Sequence, residues 1–203
     1  STSDSYITQL WTYLTDGSLG IGVDWTNSDI RLYKGAAAVA GSGAATWDAT
    51  YARFRLVFTL TTPLSSIDDN GSYQIRVTAR DKLNNNATQT FDFTYQNATP
   101  VIQSPGTGSS TDNPVVAVSG KALAGSVVYF EISDNGGLTY TASDTVDANA
   151  TLNLFATSLT LTGGDGNYVL RAYSVFGGSA SNYSNTVVIT LNTQSPAALL
   201  VST

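Results

Sequence analysis

The chain of 203 residues suits two domains of about 100 residues, each able to bury a modest core. Its apolar fraction of 42% is ordinary, but charged residues make up only 12%, about half the usual share, so the surface must be polar yet mostly uncharged. The net charge of −6 argues against a nucleic-acid partner, and the absence of cysteine excludes a disulfide framework and a thiolate metal site.

Along the first half, period-two alternation dominates. Phe54, Leu56, Phe58 and Leu60 alternate with Arg53, Arg55 and Thr59. In Tyr73-Gln74-Ile75-Arg76-Val77-Thr78-Ala79-Arg80 the apolar side chains hold the odd positions, as in a strand with one buried and one wet face. Phe91, Phe93 and Tyr95 repeat the pattern. The Ala-rich piece from Gly35 to Gly43 reads as strand or loop, and no window supports an amphipathic helix of ten residues or more.

In the second half, Val127-Val128-Tyr129-Phe130-Glu131-Ile132 and Val187-Val188-Ile189-Thr190-Leu191 are β-branched and aromatic runs. Turns are marked by Asp69-Asn70-Gly71, Asp134-Asn135-Gly136-Gly137 and Gly163-Gly164-Asp165-Gly166-Asn167. Strands between such turns suggest antiparallel sandwiches. Residues 99–203 hold six acids against Lys121 and Arg171 only, so this half is the more acidic.

An internal repeat supports a two-domain cut near Asn97–Pro100. Thr94-Tyr95-Gln96-Asn97-Ala98-Thr99-Pro100 and Thr190-Leu191-Asn192-Thr193-Gln194-Ser195-Pro196 share spacing, as do Asn70-Gly71-Ser72-Tyr73 and Asp165-Gly166-Asn167-Tyr168. The second pair has the form of a tyrosine corner. The expected domains are 1–98 and 99–193, with a tail at 194–203. If Pro196 repeats Pro100, then Ala197-Ala198-Leu199-Leu200-Val201 stands where a next domain would begin. Three readings are open for it: a truncated repeat or linker, docking within the chain, or donation as a strand to a neighbour.

These segments resemble the bacterial Ig-like repeats of large surface and secreted proteins. In the first half the resemblance rests on Leu14-Thr15-Asp16-Gly17-Ser18-Leu19-Gly20-Ile21-Gly22-Val23-Asp24, Ile30-Arg31-Leu32, Pro63-Leu64, and Asp69-Asn70-Gly71-Ser72-Tyr73 through Arg80-Asp81-Lys82-Leu83-Asn84. In the second it rests on Ser119-Gly120-Lys121-Ala122-Leu123-Ala124-Gly125. It implies two tandem immunoglobulin-like antiparallel β-sandwiches. The chain departs from the family where Gly-Asn usually follows the Asp of the first domain, having Asn84-Asn85, and where Ser174-Val175-Phe176-Gly177-Gly178 replaces the Asp region of the second.

Catalysis has little support, since histidine is absent and no carboxylate, Ser, Thr, Lys or Tyr sits in a catalytic pattern, so no enzyme is expected. Calcium is the more credible ligand, because hard cations take carboxylate and carbonyl oxygens. The candidate ligands are Asp16, Asp24, Asp68, Asp69 and Asp81, with Asp134 and Asp165 in the second half; the competing reading makes them turn-forming and solubilising acids. Trp25 and Trp47 are candidates for a glycan-stacking platform, with burial in the core or an interface as the competing reading, and Trp11 is expected in the core or an interface. Sequons at Asn70, Asn86, Asn97, Asn149 and Asn182 permit glycosylation, with Asn97 disfavoured by Pro100. No run approaches the roughly 18 apolar residues of a membrane span, and the lack of methionine fits a processed export or a fragment. The expectation is an extracellular structural element of a fibre, surface layer or adhesin stalk, paired with copies of itself or neighbouring repeats. A carbohydrate- or receptor-binding module is the alternative, and an accessory pair of a secreted hydrolase a third reading.

Overall fold

The computed structural model describes residues 6–14 and 22–194. By contact it divides into two compact units, one ending at Asn97 and the other beginning at Ala98. The first contains β1 (Ile7–Tyr13), β2 (Asp29–Lys34), β3 (Ala37–Ala38), β4 (Gly41–Asp48), β5 (Arg53–Leu64), β6 (Gly71–Arg80) and β7 (Asn86–Tyr95). One sheet has the order β1-β5-β4 and the other β3-β2-β6-β7. Every pairing is antiparallel, and the connectivity is that of an immunoglobulin-like sandwich. The Ala-rich piece becomes β3 and the start of β4, and it carries the chain from one sheet to the other.

Alternation places the core as read from the sequence. Leu56, Phe58 and Leu60 of β5 meet Ile30 and Leu32 of β2 and Tyr73 and Val77 of β6 in one buried cluster. The only helical turn among the described residues is the 3-10 segment Ile67–Asp69, which leads into β6.

The second unit contains β8 (Val101–Ser104), β9 (Ser109–Thr111), β10 (Val115–Lys121), β11 (Val127–Ser133), β12 (Thr141–Asp147), β13 (Leu154–Thr160), β14 (Gly166–Phe176), β15 (Ser179–Ala180) and β16 (Val187–Leu191). Its sheets run β13-β10-β8 and β12-β11-β14-β16-β9, with β15 beside β14. Here β9 joins β16 in parallel, and the other pairings are antiparallel. The core gathers Ile102, Val118, Val128, Phe130, Phe155, Leu159, Leu170 and Ile189.

Gly120 of the Ser-Gly-x-Ala-x-x-Gly motif has a steric reason: a Cβ there would overlap the Val101 carbonyl oxygen and the Phe155 ring. Its bareness lets β8 lie against β10. Gly125 ends the motif at φ +76°, a left-handed conformation that L side chains avoid.

The repeated Asn/Asp-Gly-x-Tyr element forms the same device in both units. The Tyr73 hydroxyl donates to the carbonyl of Asp69 at 2.6 Å, and Tyr168 to that of Gly164 at 2.6 Å. Each ring is buried at 3% exposure, so the hydroxyl ties the corner loop to the core. Tyr73→Phe and Tyr168→Phe are each expected to cost about 1 kcal/mol, read as a fall of roughly 4–8 °C in the Tm of the unit concerned. Unchanged melting of both variants would show that the hydroxyls do not hold the corners.

Candidate functional site

The aspartates proposed as cation ligands are held by their own loops. Asp24 accepts from the backbone N–H groups of Thr26 and Asn27 and from the Asn27 side-chain amide at 2.8 Å. Asp81 accepts from the N–H groups of Leu83 and Asn85 and from the Asn85 amide at 2.7 Å. Within that loop Asn84 adopts φ +69°, a left-handed conformation that asparagine tolerates. Asp69 accepts from the N–H groups of Ser65 and Ser66 and from the Ser66 hydroxyl.

These bonds lower the carboxyl pKa values. The Asn27 amide does so first for Asp24, and the Asn85 amide for Asp81. For Asp69 burial pulls upward, but the Ser65 and Ser66 donors outweigh it. A cation already sits beside the third loop: the Lys34 ammonium donates to the carbonyls of Asp68 and Asp69, both at 3.1 Å. In the second unit Asp165 accepts from the Thr193 N–H and hydroxyl, both at 2.8 Å, which lower its pKa. Among the described residues no three acids gather as a metal site. Asp16 lies outside the described residues.

The tryptophans fall differently from the sequence expectation. Trp25 is partly buried and packs on the core of the first unit. Phe54 stands between it and Trp47, tilted 35° from Trp25 and 71° from Trp47. The two indole planes are therefore at least 36° apart (71° less 35°), which is not the coplanar geometry of a sugar platform. Trp11, expected in the core or an interface, is 52% exposed. It is paired with Val57 in the β1–β5 ladder, and period two puts it on the solvent face while Leu10 turns inward.

Around Trp11 lies an aromatic and arginine patch that the sequence did not single out. Tyr13 meets the edge of Trp11 at 5.2 Å and of Tyr51 at 5.9 Å, while the Arg53 guanidinium lies 3.7 Å over the Tyr13 ring. The Tyr13 hydroxyl donates to Asp48, and Arg55 stands 3.7 Å from the same carboxylate. Burial, followed by the bond to Asp48, raises the Tyr13 pKa. The second unit has a matching patch. Tyr129 and Tyr173 stack at 5.1 Å, and Arg171 is held by Glu131 at 2.7 Å, with its guanidinium 3.6 Å from the Tyr140 ring and 3.8 Å from Tyr183. The available signal was aromatic residues at the polar positions of alternating strands, as in Trp11 and Tyr13 or Tyr129 and Tyr173.

Of the sequons, Asn97 is 5% exposed and its side-chain amide donates to the Ser65 carbonyl at 2.6 Å. The fold withdraws it from modification. Residues 197–201 lie outside the described residues.

No family model matches the chain, and no curated protein matches it. Solved structures similar to it include a BSP domain of a biofilm-associated protein, 16% identical over 95% of this chain and 29% of that one, with a TM-score of 0.35. A tetra-tandem repeat from the extending region of a large adhesion protein is 17% identical over 82% of this chain and 42% of that one, with a TM-score of 0.32. The chicken CNTN1 FN1–FN3 domains are 11% identical over 91% and 62%, with a TM-score of 0.44. The chain spans less than two thirds of each of these structures. At these scores the likeness carries no argument about function.

The aspartate loops give a prediction with a definite sign. Their folded pKa values lie below the unfolded value of about 3.9. The stability they contribute is complete above that value and is lost as pH falls through the lower folded values. Asp81→Asn is expected to lower the Tm at neutral pH and to make a smaller difference at about pH 2. An equal difference at both pH values would show that the charge of Asp81 does not stabilise its loop.

Proposed function

We propose that the chain is a structural and assembly element of an extracellular surface structure, such as a fibre, surface layer or adhesin stalk, and that it is not an enzyme. The two units are then tandem Ig-like repeats of the bacterial surface-protein kind, covering about 1–98 and 99–193. The observation that carries the reading is the state of the sheet edges. Natural sandwiches protect edges with lysine, proline, bulges or very short strands. The edge strand β4, Gly-Ser-Gly-Ala-Ala-Thr-Trp-Asp, has none of these: it pairs with β5 over eight consecutive residues, and seven of the eight are exposed. The edge strand β7 is ten residues long with Asp92 as its only charge. Low surface charge points the same way, because packed surfaces disfavour charges that must be desolvated.

The tethered aspartates favour a role without catalysis or calcium. Their oxygens are spent on backbone and side-chain donors of the protein itself, which shape turns. A second reading is favoured by the patch of Trp11, Tyr13, Tyr51, Arg53 and Arg55, since Trp, Tyr and Arg dominate binding hot spots. That patch suits a glycan or a protein receptor.

Light scattering after size exclusion, with electron microscopy of the large species, tests the first reading. Concentration-dependent oligomers or filaments are expected, with size and Tm unchanged by Ca²⁺. A monomer at every concentration would contradict assembly, and a Tm raised by Ca²⁺ would contradict the structural role of the aspartates. The second reading requires the tryptophan emission to shift on titration with a polysaccharide and the shift to vanish in Trp11→Ala.

A further inference from the structure

The carboxylate of Asp134 is not tied into its own turn. Asp24, Asp69, Asp81 and Asp165 accept from nearby donors, whereas Asp134 makes no side-chain hydrogen bond or ion pair among the described residues. It lines a cleft of about 370 Å³ between β12 and β13, the edge strands of the second unit's two sheets. A hydrogen bond from the Thr157 hydroxyl to the Asp144 carboxylate, at 3.4 Å, joins the two strands at the cleft.

In the first unit the equivalent flank is filled. There β4 lies on the outer edge of β5, which pairs with β1 as β13 pairs with β10. Gly43 lets β4 press against β2, since a Cβ on it would lie 2.7 Å from the Ile30 carbonyl oxygen. The cleft is therefore a feature of the second unit and not a consequence of the shared sandwich plan.

Its lining is polar. Ser143 of β12, Ser158 and Thr160 of β13, and Thr162 just beyond β13 line it together with Asp134 and Asp144. These serine and threonine hydroxyls make no side-chain hydrogen bond among the described residues. Ile132, Leu159 and the Tyr168 ring, all part of the core, give it an apolar floor. Gly163 keeps one wall clear: a Cβ there would lie 2.9 Å from the Tyr168 hydroxyl and 3.1 Å from an Asp134 carboxylate oxygen, and no positive φ calls for glycine at this position.

These groups select a ligand by exclusion and by fit. No lysine or arginine lines the cleft, so its two carboxylates repel phosphates and acidic sugars. A hard cation, which takes about six or more oxygens, is poorly served: among the described residues no three acids gather, and Asp144 already accepts from the Thr145 N–H and the Thr157 hydroxyl. Clefts for drug-sized ligands are lined mainly by apolar side chains. One lined by hydroxyls and carboxylates matches a neutral molecule that carries hydroxyls around an apolar ring, because Ser and Thr both donate and accept and a carboxylate accepts O–H bonds strongly. A sugar ring has that composition.

We propose that the cleft between β12 and β13 binds a neutral saccharide. Asp134 and the remaining lone pairs of Asp144 accept from sugar hydroxyls, the serine and threonine hydroxyls complete the polar contacts, and Ile132 and Leu159 meet the C–H face of the ring. The volume is at the small end of the range for ligand clefts, roughly 300–1,000 Å³, and suits the end of a glycan. The site is separate from the Trp11 patch and goes beyond the assembly reading, with whose edge strands it shares no residue.

Saturation-transfer difference NMR on the full chain tests the site, with neutral disaccharides of glucose, galactose, mannose and N-acetylglucosamine at millimolar concentration and N-acetylneuraminic acid as the anionic control. Transfer to at least one neutral disaccharide and none to the control is expected. Asp134→Ala is expected to raise the Kd about tenfold or more, and Ser158→Phe, which fills the cleft, to abolish the transfer. Neither change removes a side-chain hydrogen bond of the protein, so both variants are expected to keep the wild-type Tm. Binding here is expected to leave the tryptophan emission unchanged, because all three tryptophans lie in the first half of the chain, and to survive Trp11→Ala. No transfer to any of the disaccharides, or transfer that persists in both cleft variants, would overturn the proposal. So would a Tm raised by Ca²⁺ only in chains that keep Asp134, which would make the cleft a cation site.

Discussion

A β-sandwich keeps its core dry only where the gap between its two sheets is closed on both flanks, and the pairing of β8 with β10 is the interaction that closes one of them here. Everything about the second unit follows from that contact. Gly120 leaves room for the Val101 carbonyl, and the Asn185 side-chain amide takes the backbone of Ile102 from the other side, accepting its N–H at 2.9 Å and donating to its carbonyl at 3.0 Å. With both edges of β8 satisfied, Ile102 enters the core, and the inward face of β16 is sealed. The first unit has the same central strands and the same tyrosine corner but no such cover among the described residues. Phe91 of the first unit is 44% exposed.

This difference gives physical content to the idea of a repeat. Tandem sandwiches share a short Pro-containing element that ends one unit and opens the next. Where that element leads into a strand, the strand serves the flank of a sandwich.

Much of the architecture was legible from alternation. The odd positions of β6 and the even positions of β5 face inward as their apolar residues require, and the two corners follow from Asn/Asp-Gly-x-Tyr. The ring of Trp11 was placed less well, because a tryptophan's face depends on register with a partner strand distant in sequence. Trp11 faces solvent through its pairing with Val57, and nothing local says so. The aspartates show a related limit. Asp24, Asp69 and Asp81 have the composition of ligands, but their oxygens are used by N–H groups within four residues, a bookkeeping visible only once the loops are closed. The exposure of Phe91 was hidden for the same reason, since in sequence it reads like any other inward residue of an alternating strand.

The most direct measurement is hydrogen exchange across the chain in dilute and concentrated solution. The account requires that amides of the edge strands β4 and β7 gain protection on concentration, while those of β10, already covered by β8, are protected throughout. If β4 and β7 exchange at the same rates in both conditions, these edges are not where copies meet.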